Sequence, residues 1–196
     1  MRMTGGEFRG RRIRTPAGDQ VRPTQDRVRA ALFSMLAEVV PGARMLDLFA
    51  GSGAVGLDGL SRGAAHVVWV ESDRRHAALL KENAQALAVT SAQGQVVCAE
   101  CLAWLRRAAT CGLPFDLVFA DPPYAWAQEN GFAELASLLK SRELLRPGGI
   151  FVAEHSTRKA AEIWPGWELL RDREYGQTRL AVYRLLPPAV TQTAEG

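Results

Sequence analysis

Four consecutive residues, Asp121-Pro122-Pro123-Tyr124, provide the groups needed to present a planar exocyclic amine to an electrophile. Such an amine on a purine is a weak nucleophile because its lone pair is delocalised into the ring. The Asp121 carboxylate and the Pro122 carbonyl can each accept one of its N–H bonds and so favour a more tetrahedral nitrogen. Pro122 and Pro123 restrict the backbone, and the Tyr124 ring offers a stacking face. The tetrapeptide therefore predicts methylation of an amino group, with these four residues as the catalytic ones.

A glycine-rich segment, residues 47–56, has the spacing G-x-G-x-x-G, and Glu71 stands 20 residues beyond Gly51, the first glycine of that motif. By spacing alone the segment could bind the pyrophosphate of a nicotinamide dinucleotide. Asp47 favours a different cofactor, because a carboxylate at the tip of a strand repels phosphate. S-adenosylmethionine has no phosphate and carries an ammonium and a sulfonium, both of which favour an acid. The segment therefore predicts an S-adenosylmethionine site.

Three parts of the chain are expected to form this cofactor site. The glycines admit the amino-acid end of the cofactor, Glu71 takes both ribose hydroxyls, and its two neighbours border the adenosine. Glu100 follows the next strand, where an acid could meet the adenine amino group or could simply cap a helix. The predicted cofactor-binding residues are Thr24, Asp47, Phe49, Ala50, Gly51, Ser52, Gly53, Glu71, Ser72, Asp73, Glu100 and Cys101.

The elements that must position these residues alternate along the chain. Short apolar runs predict strands at residues 45–49, 66–70, 95–98, 115–120 and 150–153. Helical periodicity predicts helices at residues 25–39, 55–62, 74–87, 102–109 and 132–140. Residues 168–175 and 178–185 alternate in polarity around Gly176-Gln177, which predicts an antiparallel hairpin. This order predicts a mostly parallel α/β sheet of seven strands with helices on both faces.

Positive charge is concentrated at the N-terminus. The net charge is +3, but residues 1–29 hold eight arginines against three acids, and the remaining chain is slightly acidic. Such an arm either binds a polyanion through phosphate contacts or is an ordinary solvated face.

Length and composition exclude several other classes of protein. At 196 residues, with 47% hydrophobic residues, the chain suits one compact domain. It contains no apolar run long enough to cross a bilayer, so a soluble, cytoplasmic protein is expected. The three cysteines cannot all pair. Cys98 and Cys101 form a CxxC, but no second Cys pair or His pair stands at ligand spacing, so no metal is expected.

Along nearly its whole length the chain resembles the bacterial 16S ribosomal RNA guanine-N2 methyltransferases of the RsmD type. The resemblance is carried by residues 4–11 (TGGEFRGR), 22–29 (RPTQDRVR), 47–54 (DLFAGSGA), Glu71, 121–124 (DPPY) and 175–180 (YGQTRL). Gln25 departs from the family, which usually repeats threonine there, and the arm starts differently. Neither change touches the proposed chemistry.

The resemblance implies a class I methyltransferase fold with a small N-terminal β-hairpin, spanning a basic arm (1–24), a catalytic domain (25–186) and a flexible tail (187–196). It also implies methylation of one guanine N2 in 16S ribosomal RNA, on an assembling small subunit, by a monomer. The predicted RNA-binding residues are Arg9, Arg11, Arg22, Arg27 and Arg29.

Two other functions remain open from the residues alone. The same tetrapeptide would serve methylation of adenine N6 in DNA, although the chain has no room for an additional target-recognition domain. A non-catalytic RNA-binding assembly factor is the other alternative, and it leaves the intact Asp47, Glu71 and Asp121 unexplained.

Overall fold

The computed structural model describes residues 1–16, 23–108, 113–158 and 160–188. Its strands are β1 (Arg44–Leu48), β2 (His66–Glu71), β3 (Gly94–Cys98), β4 (Phe115–Ala120), β5 (Leu145–Ser156), β6 (Trp167–Tyr175) and β7 (Thr178–Leu185). Its helices are α1 (Pro23–Met35), α2 (Ala54–Ser61), α3 (Arg74–Ala86), α4 (Cys101–Arg107), α5 (Tyr124–Asn130) and α6 (Ala133–Ser141). The predicted alternation of strands and helices is confirmed.

One seven-stranded sheet runs in the order β3-β2-β1-β4-β5-β7-β6. The first five strands pair in parallel, and β7 pairs antiparallel with both β5 and β6. The chain moves outward from β1 through β2 to β3 and then returns to β4 on the other side of β1. Loops that follow β1 and β4 therefore diverge, which leaves a crevice at the carboxyl ends of these strands.

Two apolar layers cover the sheet, one on each face. Successive side chains of a strand alternate between them, so Met45 packs in one layer and Leu46 in the other. The first layer includes residues of α1, α2, α3 and the N-terminal arm, and the second includes residues of α4 and α6. The strands that lead into the glycine loop are thus packed on both faces of the sheet.

The N-terminal arm, residues 1–16, packs onto the body of the protein. Met3, Phe8 and Ile13 are buried in the first layer. Arg2 and Arg12 form a single antiparallel bridge, because turns and bends occupy most of the segment between them. The expected β-hairpin is therefore reduced to one bridge.

Two elements differ from their predicted bounds by more than two residues, and a third was not predicted. β5 begins at Leu145 rather than 150, since a register shift against β4 lets the strand include Pro147. α1 ends at Met35, and the apolar residues that follow it form turns. α5 was not predicted, because Pro122 and Pro123 favour a turn in sequence. A proline at a helix start loses no bond, since the first helical N–H groups lack partners anyway.

The C-terminal hairpin of β6 and β7 forms as predicted, with Tyr175 paired to Thr178 across the turn. No helix within the described ranges has the length and apolar character that a bilayer crossing requires. Residues 189–196, most of the expected tail, lie outside the described residues.

Candidate active site

Four acidic side chains meet at the carboxyl edge of the sheet: Asp47 on β1, Glu71 on β2, Asp121 directly after β4, and Glu154 on β5. The residues two positions before each of them all belong to the first apolar layer. They are Met45, Trp69, Phe119 and Val152. Because side chains alternate along a strand, the four carboxyl groups project on one side of the sheet, toward α1 and the glycine loop.

An open crevice of about 830 Å³ lies between the glycine loop, α1 and the arm, and it is lined by Asp47, Ser52, Asp121 and Glu154 among others. A second opening of about 1260 Å³ shares Asp121 and Glu154 and continues toward β7. The two openings form one groove whose halves meet at Asp121 and Glu154. This arrangement suits two ligands, one in each opening, whose reacting groups meet beside Asp121 and Glu154.

The glycine loop has a backbone that few other residues could adopt. Gly51 and Gly53 have φ of +53° and +79°, and a Cβ on Gly53 would lie 2.7 Å from Leu80 Cγ. Phe49 also has a positive φ, of 58°. Its ring meets Trp126 of α5 edge-on, with centroids 4.8 Å apart. The loop is thereby tied to the helix that follows the catalytic tetrapeptide.

Asp47 is 2% exposed, and its Oδ2 accepts the Gly56 N–H at 2.8 Å. This bond caps α2, whose N-cap residue, Gly53, has no side chain to do so. Burial raises the pKa of Asp47 to about 8, assisted by the charges of Asp121 and Glu71 and opposed by the Gly56 bond. A cationic ligand beside Asp47 would favour its ionised form, so this carboxyl group suits a ligand that carries positive charge.

Glu71 holds the glycine loop in place. Its Oε2 accepts the Gly51 N–H at 2.7 Å, and its Oε1 accepts the Asp73 N–H at 2.8 Å. A carboxylate oxygen can accept more than one bond, so both oxygens keep capacity for a ribose hydroxyl. The contact of Glu71 with ribose stays a prediction that this geometry allows.

Two of the predicted cofactor ligands cap helices. Asp73 accepts the N–H groups at the start of α3, which lowers its pKa. Glu100 does the same for α4, accepting from Leu102 at 3.0 Å and Ala103 at 2.6 Å. The structure shows the cap, one of the two roles that the sequence leaves open, and the contact of Glu100 with adenine stays a prediction, since a carboxylate can accept more than one bond. Ser72 is exposed beside Asp73, and its contact with adenosine stays a prediction.

Cys101 does not face the crevice. It is 4% exposed among the second-layer residues of α4, and burial raises the pKa of its thiol. Its thiol therefore packs in the core at the inner face of α4, and a cofactor contact through the Cys101 backbone stays a prediction. Cys98 and Cys101 are both free thiols, whereas Cys111 lies outside the described residues.

The tetrapeptide lies at the turn from β4 into α5. Pro122 is buried, and Pro123 is the N-cap of α5, with φ of −52°. The Asp121 side chain reaches the crevice and keeps contact with solvent, yet the surrounding protein desolvates it enough to raise its pKa to about 7. Tyr124 begins α5, and its side chain is outside the described part of the chain, as is that of Thr24 in α1.

Arg29 braces the arm instead of facing solvent. It is 5% exposed, and its Nε donates to Asp58 at 2.5 Å while its Nη2 donates to Asp26 and to the Arg2 carbonyl. Its predicted RNA contact is therefore wrong, because protein acceptors surround the guanidinium. Asp58 also accepts from the Thr4 N–H at 2.9 Å, so this pair joins the arm, α1 and α2.

The other predicted arginines remain available for RNA. Arg9 and Arg27 are exposed, and Arg11 is exposed while donating one bond to the Ala86 carbonyl. Arg22 lies outside the described residues. The contacts of Arg9, Arg11 and Arg27 with RNA stay predictions.

Sequence reasoning missed Glu154. The apolar run that predicted its strand ends at Ala153, so Glu154 directly follows a strand as Asp121 does, but no motif around it drew attention to this position. Only the pairing of Ala120 with Ala153 shows that Glu154 stands beside Asp121. Burial and the charge of Asp121 raise the pKa of Glu154 well above its usual range, and Arg29 opposes them. Within the described residues, no group of His, Cys, Asp or Glu side chains could hold a metal ion.

Known proteins resemble this chain over nearly its whole length. The family model described as "Conserved hypothetical protein 95" matches residues 1–184. "Ribosomal RNA small subunit methyltransferase D" of Escherichia coli is 35% identical over 185 residues, which cover 94% of this chain and 89% of that protein. "Putative rRNA methyltransferase YlbH" of Bacillus subtilis is 34% identical, covering 94% and 98%.

The fold also matches a solved structure, a putative methyltransferase named yhhF from Escherichia coli. That structure has a TM-score of 0.82 and 34% identity, covering 95% of this chain and 98% of its own. The predicted Rossmann-like class I fold is confirmed. The chain belongs to the RsmD family, described as conserved hypothetical protein 95, of class I S-adenosylmethionine-dependent methyltransferases.

Proposed function

We propose that this protein transfers the methyl group of S-adenosylmethionine to the exocyclic N2 amine of a guanine in 16S ribosomal RNA. The observation that carries the proposal is the position of Asp121 and Pro122 in one groove with Asp47 and the glycine loop. The names of the two curated relatives support ribosomal RNA as the substrate. The exposed arginines of the arm and α1 support a polyanionic one.

The residues around the glycine loop would hold the cofactor. Asp47 faces its positive charges, Gly51 allows its amino-acid end to approach the backbone, and Glu71 accepts ribose hydroxyls. When bound, S-adenosylmethionine supplies an electrophilic methyl group on a sulfonium. Asp47 and Glu71 are already fixed by backbone N–H bonds, so their carboxylates need little reorganisation on binding.

Asp121 and Pro122 would orient the target amine. The Asp121 carboxylate and the Pro122 carbonyl accept its two N–H bonds, which leaves the nitrogen lone pair directed at the methyl group. After transfer the nitrogen carries one proton too many. Asp121, with a pKa near 7, can accept that proton and release it to solvent. Tyr124 is assigned to stacking on the base.

The arm would bring the RNA to this groove. Thr15 and Pro16 line the crevice, and Arg9 and Arg27 are exposed on the arm and on α1. We assign these arginines to phosphate contacts, and we place the reaction on an assembling small subunit in the cytoplasm, with a monomer as the acting form. Assembly particles expose RNA segments that mature subunits cover.

Methyl transfer from labelled cofactor tests the proposal. The protein is incubated with small-subunit particles, naked 16S RNA or duplex DNA, and the modified base is mapped. We expect label in a guanine of the RNA as its N2-methyl derivative. Label found only in adenine of DNA would reject guanine N2 as the target, and no label in any nucleic acid would favour a non-catalytic factor.

A further inference from the structure

Glu154 is the one carboxyl group of the four at the crevice that the proposed chemistry does not use. Asp47 caps α2, Glu71 holds the glycine loop, and Asp121 is assigned to the amine. Among the described residues no hydrogen bond to the Glu154 carboxylate is found, and only the nearby Arg29 charge favours its ionised form. Glu154 is half-buried, and its carboxyl oxygens keep hydrogen-bonding capacity for donors of a ligand in the groove.

Its position relative to Asp121 is fixed by the sheet. Ala120 pairs with Ala153 in parallel, so Asp121 and Glu154 stand side by side on adjacent strands, about 4.8 Å apart. Both side chains project toward the first layer, and both line the two openings of the groove. Glu154 is therefore placed to contact the same ligand as Asp121, on the side that leads to Thr157, Gln177 and Thr178.

We infer that Glu154 selects guanine by accepting the N1–H bond of the base whose N2 amine lies at Asp121. This inference rests on the proposed function. The Watson–Crick edge of guanine places the N1–H donor directly beside the N2 amine. One carboxylate can accept from N1–H and a second from N2, which satisfies two adjacent acids with two adjacent donors.

The same arrangement rejects adenine. Its N1 carries a lone pair instead of a hydrogen, so Glu154 in its ionised form, which the Arg29 charge favours, would face an acceptor and stay unpaired. Binding sites that hydrogen-bond a substrate N–H discriminate strongly against analogues that lack it, because the buried protein group is left without a partner. Glu154 thus accounts for the selection of guanine over adenine, which Asp121 and Pro122 alone do not explain because both bases carry an exocyclic amine.

The inference is tested with a substrate base whose N1 accepts a hydrogen bond and with a variant of Glu154 that can donate one. The substrate is 16S RNA, in the form that the protein methylates, with the mapped guanine either retained or replaced by 2-aminopurine. That base keeps the N2 amine, but its N1 is an acceptor. We expect wild-type protein to methylate the 2-aminopurine RNA at least about 100-fold more slowly than the guanine RNA.

Glu154→Gln should change this ratio, because its amide NH₂ can donate to the N1 of 2-aminopurine. We expect guanine methylation to fall by about tenfold, because the neutral amide oxygen accepts the N1–H more weakly than a carboxylate, and the ratio of 2-aminopurine to guanine rates to rise by more than about tenfold. A purely structural role would lower both rates equally. Glu168→Gln, at an exposed ion pair with Arg184 on the distant β6, is the matched control and should leave the ratio unchanged.

Thermal unfolding and cofactor affinity of Glu154→Gln show whether the variant is folded and loaded. An unchanged ratio in folded, cofactor-binding Glu154→Gln would overturn this inference and leave the proposed function standing. A wild-type protein that methylates no guanine in RNA would overturn the proposed function and this inference together.

Discussion

Individual carboxyl groups at the crevice have distinct roles that follow from their surroundings. Asp47 is buried and caps a helix, whereas Asp121 keeps contact with solvent in the groove. Desolvation raises the pKa of both, to about 8 and about 7. Asp47 is suited to bind a cation, and Asp121 is suited to exchange a proton near neutral pH.

Replacing Asp121 separates chemistry from cofactor binding. In Asp121→Asn the side chain keeps its shape but can accept through only one oxygen and cannot take the proton. We expect kcat to fall by about 100-fold or more, with the affinity for S-adenosylmethionine changed less than about threefold. Single-turnover methylation and calorimetric titration measure the two quantities. A comparable loss of cofactor affinity would contradict the assignment of Asp121 to the target amine.

Asp47 makes stability depend on pH in a predictable direction. The folded protein keeps its proton up to about pH 8, whereas the unfolded chain loses it near pH 3.8. Between these values the folded state binds more protons, so this group lowers the free energy of unfolding as pH rises. We expect the Tm of the cofactor-free protein to fall less steeply from pH 5 to pH 8 in Asp47→Asn than in wild type.

Asn keeps an oxygen that can accept the Gly56 N–H, so the cap on α2 survives in that variant. Equal slopes of Tm against pH in the two proteins would show that Asp47 does not titrate in this range. Addition of S-adenosylmethionine should flatten the wild-type slope, because its cations favour the ionised form.

At the scale of elements, the arm is an integral part of the fold. Asp58 on α2 is 0% exposed and accepts from Thr4 of the arm and from Arg29 of α1. Gly6 fits against the Ser61 carbonyl, where a Cβ would lie 1.7 Å away. The N-terminal segment therefore has a docking role, and its exposed Arg11 reaches the carbonyl of Ala86, the last residue of α3.

Removing the Asp58 charge should loosen this junction. Asp58→Asn leaves the Arg29 guanidinium buried without its counter-ion, and we expect the free energy of unfolding to fall by about 3 to 5 kcal/mol. Urea denaturation measures the change. Glu82→Gln removes the partner of exposed Arg14 and is the control, with an expected loss below about 1 kcal/mol. Equal losses in the two variants would contradict a specific role for the buried pair.

At the scale of the whole molecule, charge and crevice are arranged together. The excess of positive charge belongs to residues 1–29, whose described parts, residues 1–16 and 23–29, contribute Met1, Thr15, Pro16, Val28 and Arg29 to the crevice. A polyanion attracted to it would be held next to Asp121. Acidic residues in the crevice itself would repel phosphates, which favours entry of a base rather than the backbone.

Replacing two exposed arginines tests this arrangement. In Arg9→Ala with Arg27→Ala we expect weaker RNA binding, and a slope of log affinity against log salt that is shallower by about 0.7 to 0.9 for each phosphate that the variant no longer neutralises. Filter binding over a range of salt concentrations measures it. Arg142→Ala, an exposed arginine between α6 and the amino end of β5, is the control. An unchanged slope in the double variant would assign RNA binding to another surface.

The sequence by itself determined the order of strands and helices, the glycine loop and the place of residues 121–124 at the end of β4. Each of these depends on short-range features, namely apolar periodicity, glycine backbone freedom and the residues that follow a strand. Phe115–Ala120 and Thr178–Leu185 have the predicted bounds for this reason.

Only the tertiary structure decided the roles of several charged residues. Glu154 stands beside Asp121 because of the register between β4 and β5, which no local pattern encodes. Arg29 is an internal brace rather than an RNA contact because Asp58, distant in sequence, is buried against it. Glu100 caps α4, a role that depended on where the helix begins. A charged side chain takes its function from the partners that folding brings to it, and those partners lie far along the chain.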